Sequence, residues 1–456
     1  MSEESQASEA PPRDTIFALS SGAGRAGVAV IRISGPKAGT ALTALAGKRP
    51  GARKAVLRRL RNPENGETLD HALVLWFPEP ASVTGEAVAE LHVHGGRAVI
   101  DGVLDALGRI AGLRPAEPGE FTRRAFENDL LDLTAAEGIA DLVAAETAAQ
   151  RRQAQSQLEG ALATLYDGWR ARLVEALAHL EAAIDFSDED LPESELAKAR
   201  PALAALGREI AAHLDDSHRG ERLRDGITVA IVGAPNVGKS SLLNTLAQRD
   251  VAIVAETAGT TRDVIEVRLD LAGYPVIVAD TAGLRGLDPK AADPIEAEGI
   301  RRARARAETA DIRIVVFDVA EPANPDGIRM VDDRAIIAVN KIDLVKRGVP
   351  ERIAEREALG ISTVTGAGIP ALLERLGAVV AERCAAGAEA PALTRTRHRQ
   401  ALEDCLAALR RAGEAELPEL AAEDARLAAR ALGRITGRVD VEDILDVIFR
   451  DFCIGK

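Results

Sequence analysis

The sequence predicts a multidomain α/β protein: a small α+β domain, a helical domain in two pieces, and a doubly wound α/β domain inserted between those pieces. Three changes of texture predict it. Residues 14–112 alternate short apolar runs with turn residues. Residues 121–219 and those after 381 carry Ala, Leu, Arg and Glu at helical spacing, and the stretch from 225 to 381 alternates β-branched runs with helical segments. A doubly wound segment whose two flanks share one helical texture reads as an insertion.

In the first domain "GVAVIRISG", "HALVLWFP" and "AVAELHVHGG" read as strands and "AVIDGVLDALGRIAG" as a helix. Gly22 to Gly27, "GAGRAG", matches GxGxxG, but a β-branched run follows where a dinucleotide site needs a helix to receive the pyrophosphate, so no such site is expected. His92 and His94 share one strand face without a third ligand nearby, and packing or hydrogen bonding is expected of them rather than metal binding. The basic run Lys48 to Arg61, "KRPGARKAVLRRLR", reads as a solvated strand-and-loop face, with nucleic-acid contact as the alternative. "DGWRARLVEALAHLEAAID" reads as a long helix, and Asp185 to Glu195 as a solvated loop, since it lacks the glycine and final glutamate of a calcium loop. In the inserted segment "ITVAIV", "RIVVFDVA", "AIIAVNK" and "GISTVTG" supply strands. Val264 to Asp280 reads as a hairpin that adds one antiparallel strand to an otherwise parallel sheet.

With 456 residues and 46% hydrophobic content the chain can bury two or three cores. A formal charge of −14 opposes indiscriminate nucleic-acid binding, so any nucleic acid must meet a local patch or arrive with a partner. No apolar run is long enough to span a bilayer and the opening residues have no apolar core, so the expectation is a cytoplasmic protein with no membrane association. Three widely spaced cysteines fit reduced thiols, and without a CxxC pair no structural zinc site is expected. The final "CIGK" is not a prenylation box, because Gly455 is not aliphatic, Lys456 is not a usual last residue and no polybasic stretch precedes Cys453.

The strongest signal is "GAPNVGKSS", Gly233 to Ser241, placed after the strand-like "ITVAIV" and before the helix-like "SLLNTLAQ". Gly233 and Gly238 let the backbone curl so that N–H groups point at phosphate oxygens, and the following helix adds its positive end. Lys239 brings a point charge to the outer phosphates and Ser240 a hydroxyl to Mg²⁺. "TAGTTRD" at Thr257 to Asp263, "DTAG" at Asp280 to Gly283 and "NKID" at Asn340 to Asp343 follow in the order a Ras-like GTPase requires. Asp280 would hold the Mg²⁺ shell, and Gly283 frees the backbone to meet a γ-phosphate. Asp343 can accept two donors from the edge of guanine, whereas adenine would leave that carboxylate unpaired, so the nucleotide is expected to be GTP.

The flanks narrow the field. "GVAVIRISG", "TGEAVAELHVHGG", "PGEFTRRAFENDLLDLTAAEGIADLV", "PNVGKSSLLN", "AGTTRDVIE", "DTAGLR" and "CIGK" together resemble the MnmE (TrmE) family of tRNA-modification GTPases over nearly the whole chain. The resemblance implies an N-terminal folate-binding and dimerisation domain over 1–119, a helical domain over 120–221 and 384–456, and an inserted Ras-like GTPase domain over 222–383. It further implies a homodimer that works on tRNA with the flavoprotein MnmG (GidA), in a heterotetramer or larger complex. That complex adds an aminomethyl or carboxymethylaminomethyl group to carbon 5 of the wobble uridine.

By the same resemblance the GTP-binding set is Asn236, Val237, Gly238, Lys239, Ser240 and Ser241, then Ala255, Glu256, Thr257, Ala258, Gly259, Thr260 and Thr261, then Asp280, Thr281, Ala282 and Gly283, and finally Asn340, Lys341, Asp343 and Ser362. After "DTAG" stands Leu284, where a Ras-like enzyme keeps a water-orienting glutamine, and no arginine finger is visible. In the family a K⁺ ion supplies that charge, which implies Asn236, Ala255, Thr257 and Thr260 as its ligands, the alanine through its carbonyl. Ser240 and Thr261 are implied on Mg²⁺ and Glu296 as the water-orienting catalytic residue, with Glu298 as the bland alternative. A tetrahydrofolate derivative would meet Arg32, Glu90 and Lys456, and a position usually basic in the family falls on Leu130, which cannot make a charge-assisted bond. Cys453 would lie near that site, either reactive or packed and inert. Two other classes compete: a GTP-switched ribosomal assembly factor, which needs neither the N-terminal segment nor "CIGK", and a folate-dependent one-carbon transferase, which leaves the GTPase loops unexplained.

Overall fold

The computed structural model describes residues 14–22, 24–185, 192–216, 218–249, 251–253, 266–280, 309–322, 324–345, 348–385, 391–439, 442–450 and 452–455. They divide into two compact units, one made of the residues up to Ala140 with those from Leu432 on, the other running from Asp141 to Ala431.

The first unit is built on a six-stranded sheet in the order β3-β4-β5-β2-β1-β6. Its strands are β1 (Thr15–Leu19), β2 (Ala26–Ser34), β3 (Val56–Arg61), β4 (Thr68–Phe77), β5 (Val88–Gly95) and β6 (Leu113–Pro115), antiparallel except for the β1–β6 pair. Alternation decides the faces. Ala89, Leu91 and Val93 of β5 are buried in one core with Leu42 and Leu45 of α1 (Ala38–Ala46) and Val103 and Leu107 of α2 (Arg97–Gly108), so Glu90, His92 and His94 point to the other face. After β6 come α3 (Glu120–Glu127) and α4 (Leu133–Ala144). Leu133 and Ala136 pack with Leu445 and Phe449 of the helix Glu442–Arg450 and with Phe452. The chain end then returns to the sheet. Ile454 forms an antiparallel bridge with Pro118, and Gly455 lies so close to β1 that an added Cβ would fall 2.0 Å from the carbonyl oxygen of Leu19.

The second unit holds an eight-stranded sheet in the order β13-β14-β12-β11-β7-β10-β9-β8. The strands are β7 (Ile227–Gly233), β8 (Ala252–Ile253), β9 (Glu266–Leu271), β10 (Tyr274–Asp280), β11 (Ile312–Asp318), β12 (Ala335–Asn340), β13 (Arg352–Ile353) and β14 (Arg356–Gly360). Strands β10, β7, β11, β12 and β14 run parallel, and β9 is the antiparallel partner of β10, the expected hairpin. The parallel strands are buried on both faces, which is why they read as continuous Val/Ile runs. Ile231, Ile314 and Ala338 face α9 (Lys239–Ala247) and the helix Ile369–Ala385, while Val315, Phe317 and Val339 form a second core. The helical part comprises α5 (Ala148–Leu158), α6 (Ala161–Asp185), α7 (Pro192–Leu214), α8 (Arg219–Asp225) and the helices Thr396–Glu414 and Pro418–Thr436.

Two expectations are corrected. The acidic run is not a loop throughout: Asp185 closes α6, and α7 begins at Pro192, a residue suited to the first turn of a helix, so that Glu195 is helical and takes bonds from His179 and Lys198. The strand expected over "GISTVTG" ends at Gly360, because Ser362 closes a turn instead, its hydroxyl accepting from the backbone N–H groups of Val364 and Thr365.

Candidate functional site

Strand β7 ends at Gly233 and α9 starts at Lys239; the loop between them is held in conformations that suit glycine and asparagine. Gly233 has φ 149°, Asn236 φ 61° and Gly238 φ 97°. Space is as restrictive as dihedral angle. A Cβ on Gly238 would lie 2.2 Å from the side-chain nitrogen of Asn340, and one on Gly233 would lie 2.3 Å from the carbonyl oxygen of Val316. Lys239 is buried, with Nζ donating to the carbonyl of Ala234 at 2.8 Å, so its ammonium is folded back beneath the loop. Asn236, Ser240 and Ser241 are exposed, and Val237 is buried. The backbone of Asp280, last residue of β10, pairs in register with Ile231 and so lies on the strand beside the loop.

The second half of the site comes from β12. Asn340 is fully buried, donates through Nδ2 to the carbonyl of Val237 at 2.8 Å and accepts from the N–H of Thr363 at 3.2 Å. One amide therefore ties the glycine-rich loop to the loops that follow β12 and β14. Lys341 follows at φ 67°, with its Nζ 2.7 Å from Asp318 Oδ2. Burial works against ionisation of Asp318, but the hydrogen bonds from Lys341 and from the Ala320 N–H outweigh it, and its pKa is lowered. Buried Ser362 donates to Asp343 Oδ1 at 2.5 Å, orienting an exposed carboxylate that can still accept further donors. Asp318 and Thr363 were not anticipated; the position of Asp318 at the carboxyl end of a parallel strand, where ligands of such sheets bind, was the available signal.

In the first unit Arg32 and Glu90 are cross-strand partners in the β2–β5 register. Both Nε and Nη2 of Arg32 donate to Glu90 Oε1, at 3.1 and 2.9 Å, and the guanidinium lies 5.7 Å from the centre of the Phe121 ring. Leu130 is 47% exposed beside Gly85. Residues 254–265 and 281–308 and Lys456 lie outside the described residues, and with them Ala255, Glu256, Thr257, Ala258, Gly259, Thr260, Thr261, Thr281, Ala282, Gly283, Leu284 and Glu296.

The remaining expectations fall on the rest of the surface. His92 is 3.3 Å from Glu90 and His94 2.8 Å from Asp70, both within hydrogen-bonding distance, and no group of three metal-ligating side chains occurs among the described residues. The basic run covers a loop and edge strand β3, where the guanidiniums of Arg49 and Arg53 rest on Trp76 and Phe77 at 4.8 and 5.6 Å. Burial pushes the thiols of Cys384 and Cys405 up to about 11 and about 12, whereas Cys453 is exposed. Among the described residues no helix is long and apolar enough to cross a membrane.

Comparison with known proteins bears on 97% of the chain. The family described as GTP-binding protein TrmE N-terminus matches residues 15–130, and the MnmE helical domain matches residues 133–453. The chain belongs to the MnmE family. Curated relatives named tRNA modification GTPase MnmE include those of Rhodospirillum rubrum, 58% identical over 97% of this chain and 99% of the relative, and of Parvibaculum lavamentivorans, 59% identical over 97% of this chain and 100% of the relative. The MnmE of Paramagnetospirillum magneticum is 58% identical with the same coverage as the second.

Proposed function

We propose that this MnmE-family chain hydrolyses GTP to drive modification of carbon 5 of the wobble uridine of tRNA, adding an aminomethyl or carboxymethylaminomethyl group together with a flavoprotein partner, MnmG. It is a GTP-hydrolysing enzyme of tRNA modification. The observation that carries the reading is the Asn340 junction, which joins the left-handed loop before α9 to the Ser362–Asp343 pair in a chain that named relatives match over 97% of its length. Within that arrangement Lys239 meets the outer phosphates and Asp343 takes the guanine edge. Ser240, Thr261 and Asp280 would hold Mg²⁺, which neutralises charge on the phosphates when bound, and the exposed hydroxyl of Ser240 in the first turn of α9 fits that task. Asn236, Ala255, Thr257 and Thr260 would hold K⁺; the left-handed, exposed Asn236 presents an oxygen-bearing side chain at the loop's rim. Glu296 is assigned to orient the attacking water.

A tetrahydrofolate derivative is assigned to the open face of the first sheet. Arg32 and Glu90 offer a donor fork and a carboxylate there, and Gly455 rests on Leu19, the neighbour of Ala18, which pairs with Arg32; Lys456 is assigned to the same ligand. The exposed Leu130 contributes no charge. The division at 1–119, 120–221, 222–383 and 384–456, a homodimer and a cytoplasmic location complete the proposal. An assembly factor would have no use for the folate-directed residues, which favours the modifying enzyme.

Cation dependence tests the catalytic part. With Leu284 in place of glutamine and no arginine finger, GTP hydrolysis is expected to be faster in KCl than in NaCl, by on the order of a thousandfold where a cation replaces the finger fully. Equal rates in the two salts contradict the assignment.

A further inference from the structure

The basic run from Lys48 to Arg61 belongs to none of the sites above, and its charge balance sets it apart from its surroundings. No Asp or Glu stands between Asp14 and Glu64, and seven of the fourteen positions 48–61 are Lys or Arg, in a chain whose formal charge is −14. Other arginines of the same unit carry carboxylate partners: Arg97 has Asp101, Arg109 has Glu64, and Arg123 has Glu127 and Asp446. None of the seven cations of the run has one among the described residues. Two acidic groups beyond the strand are turned to other partners, Glu64 to Arg109 and Asp70 to His94.

The fold sets these cations in a row. Strand β3 is an edge of the six-stranded sheet and pairs with β4 alone. Leu60 is buried in the core, so alternation puts Arg59 and Arg61 on the other face, about 7 Å apart. Ahead of the strand, the turn with Arg53 and Lys54 is tied to the end of β4, where the Arg53 N–H donates to the Trp76 carbonyl at 2.8 Å. Arg49 and Arg53 rest on Trp76 and Phe77, and Arg53 also donates to the Ala81 carbonyl at 2.5 Å. Stacking fixes the guanidinium planes in advance, which lowers the freedom lost when a ligand is bound. Lys48, Arg49, Arg53, Lys54, Arg59 and Arg61 are all exposed. From Phe77 at one end of β4 to Thr68, opposite Arg61, at the other, the row spans roughly 30 Å. A charge or two on an edge strand suffices to prevent edge-to-edge pairing. Here four of the six exposed cations lie on the loop, where there is no ladder to guard, and nothing in the fold offsets the repulsion within the row.

We propose that this edge is a docking surface for the phosphate backbone of tRNA. The inference deepens the reading under which the chain modifies tRNA, and rests on it. The exposed cations track successive phosphates, with the arginine forks matched to phosphate oxygens. Contacts of this kind supply affinity and orientation without reading sequence, so one surface serves every tRNA the enzyme modifies. They also concentrate attraction at one edge of a chain whose overall field opposes nucleic acid.

The test is binding of the full chain to a fluorescently labelled tRNA transcript with uridine at the wobble position, followed by anisotropy between about 50 and 200 mM KCl. The triple variant Lys54→Glu, Arg59→Glu and Arg61→Glu should bind at least about tenfold more weakly, and its slope of log affinity against log salt should flatten by about two to three. The charge-keeping triple Lys54→Arg, Arg59→Lys and Arg61→Lys should stay within about threefold of the wild type, which separates loss of charge from loss of fold. A distant triple, Arg208→Glu, Arg375→Glu and Arg410→Glu, changes the net charge equally at exposed positions of the other unit and should bind as the wild type does. GTP hydrolysis should be unchanged in all three. Unchanged affinity in the first triple overturns the proposal, with an acidic protein then the better occupant, and so does a charge-keeping or distant triple weakened as much as the first. A wild-type chain with no salt-dependent affinity for tRNA overturns it too. None of these outcomes touches the modification reading, which falls only if wobble uridines are unchanged in a strain lacking the chain.

Discussion

The nucleotide loops and the Arg32–Glu90 pair are both polar sites at the surface of a sheet, yet they are built from different material. In the first, position is set by backbone: left-handed Asn236, Gly238 and Lys341, and a buried Asn340 that bonds to main-chain groups on both sides. In the second, position is set by two side chains facing each other across antiparallel strands, 58 residues apart in sequence, with an aromatic ring beneath the guanidinium. The difference teaches where each site is fragile. A backbone-built site fails when any bulk enters its loops, whereas a side-chain-built site fails when one partner is removed and leaves its neighbour intact.

The comparison breaks most sharply at Gly238. Gly238→Ala places a Cβ where Asn340 already sits and forces φ 97° on an L side chain, so kcat/KM for GTP should fall by on the order of a hundredfold, with the far-ultraviolet spectrum unchanged. Near-normal turnover would show that the loop is not held as described. Asp343→Asn comes next. The lost acceptor presents a donor to the base edge, so GTP affinity should drop by roughly 30- to 100-fold while xanthosine nucleotides gain, as competition binding would register. If GTP affinity were unchanged, the base acceptor would have to lie elsewhere. Arg32→Ala should have the smallest reach: folate affinity down by about tenfold or more, the usual loss for a hydrogen bond to a charged group, with GTP hydrolysis untouched. Loss of hydrolysis in that variant would mean that the two regions are not independent in the way their construction suggests.

The same contrast explains what could be read from sequence. The fold class and the hairpin of the inserted segment were legible because β-branched runs, turn residues and helical spacing are local signals. The left-handed turns of the loop between β7 and α9 were legible because each constraint acts on one backbone position in a contiguous stretch. The Asp318–Lys341 pair and the Thr363–Asn340 bond were not, since they depend on which strand ends become neighbours in the sheet. Arg32 and Glu90 came from family resemblance rather than from pattern; alternation along β2 and β5 states which face each occupies but not that they pair. The strand expected at "GISTVTG" failed for a related reason, because a serine hydroxyl bonding to nearby backbone competes with a β ladder and apolar alternation does not register it.

The central claim is that GTP turnover in this chain drives modification of the wobble uridine, and nucleoside mass spectrometry of tRNA addresses it directly. A strain lacking the chain should lose the aminomethyl and carboxymethylaminomethyl substituents at carbon 5. The wild-type chain should restore them, and a Lys239→Ala chain, deprived of the buried ammonium beneath the phosphate loop, should not. Unchanged wobble uridines in the deletion strain, or full restoration by the Lys239→Ala chain, would contradict the account.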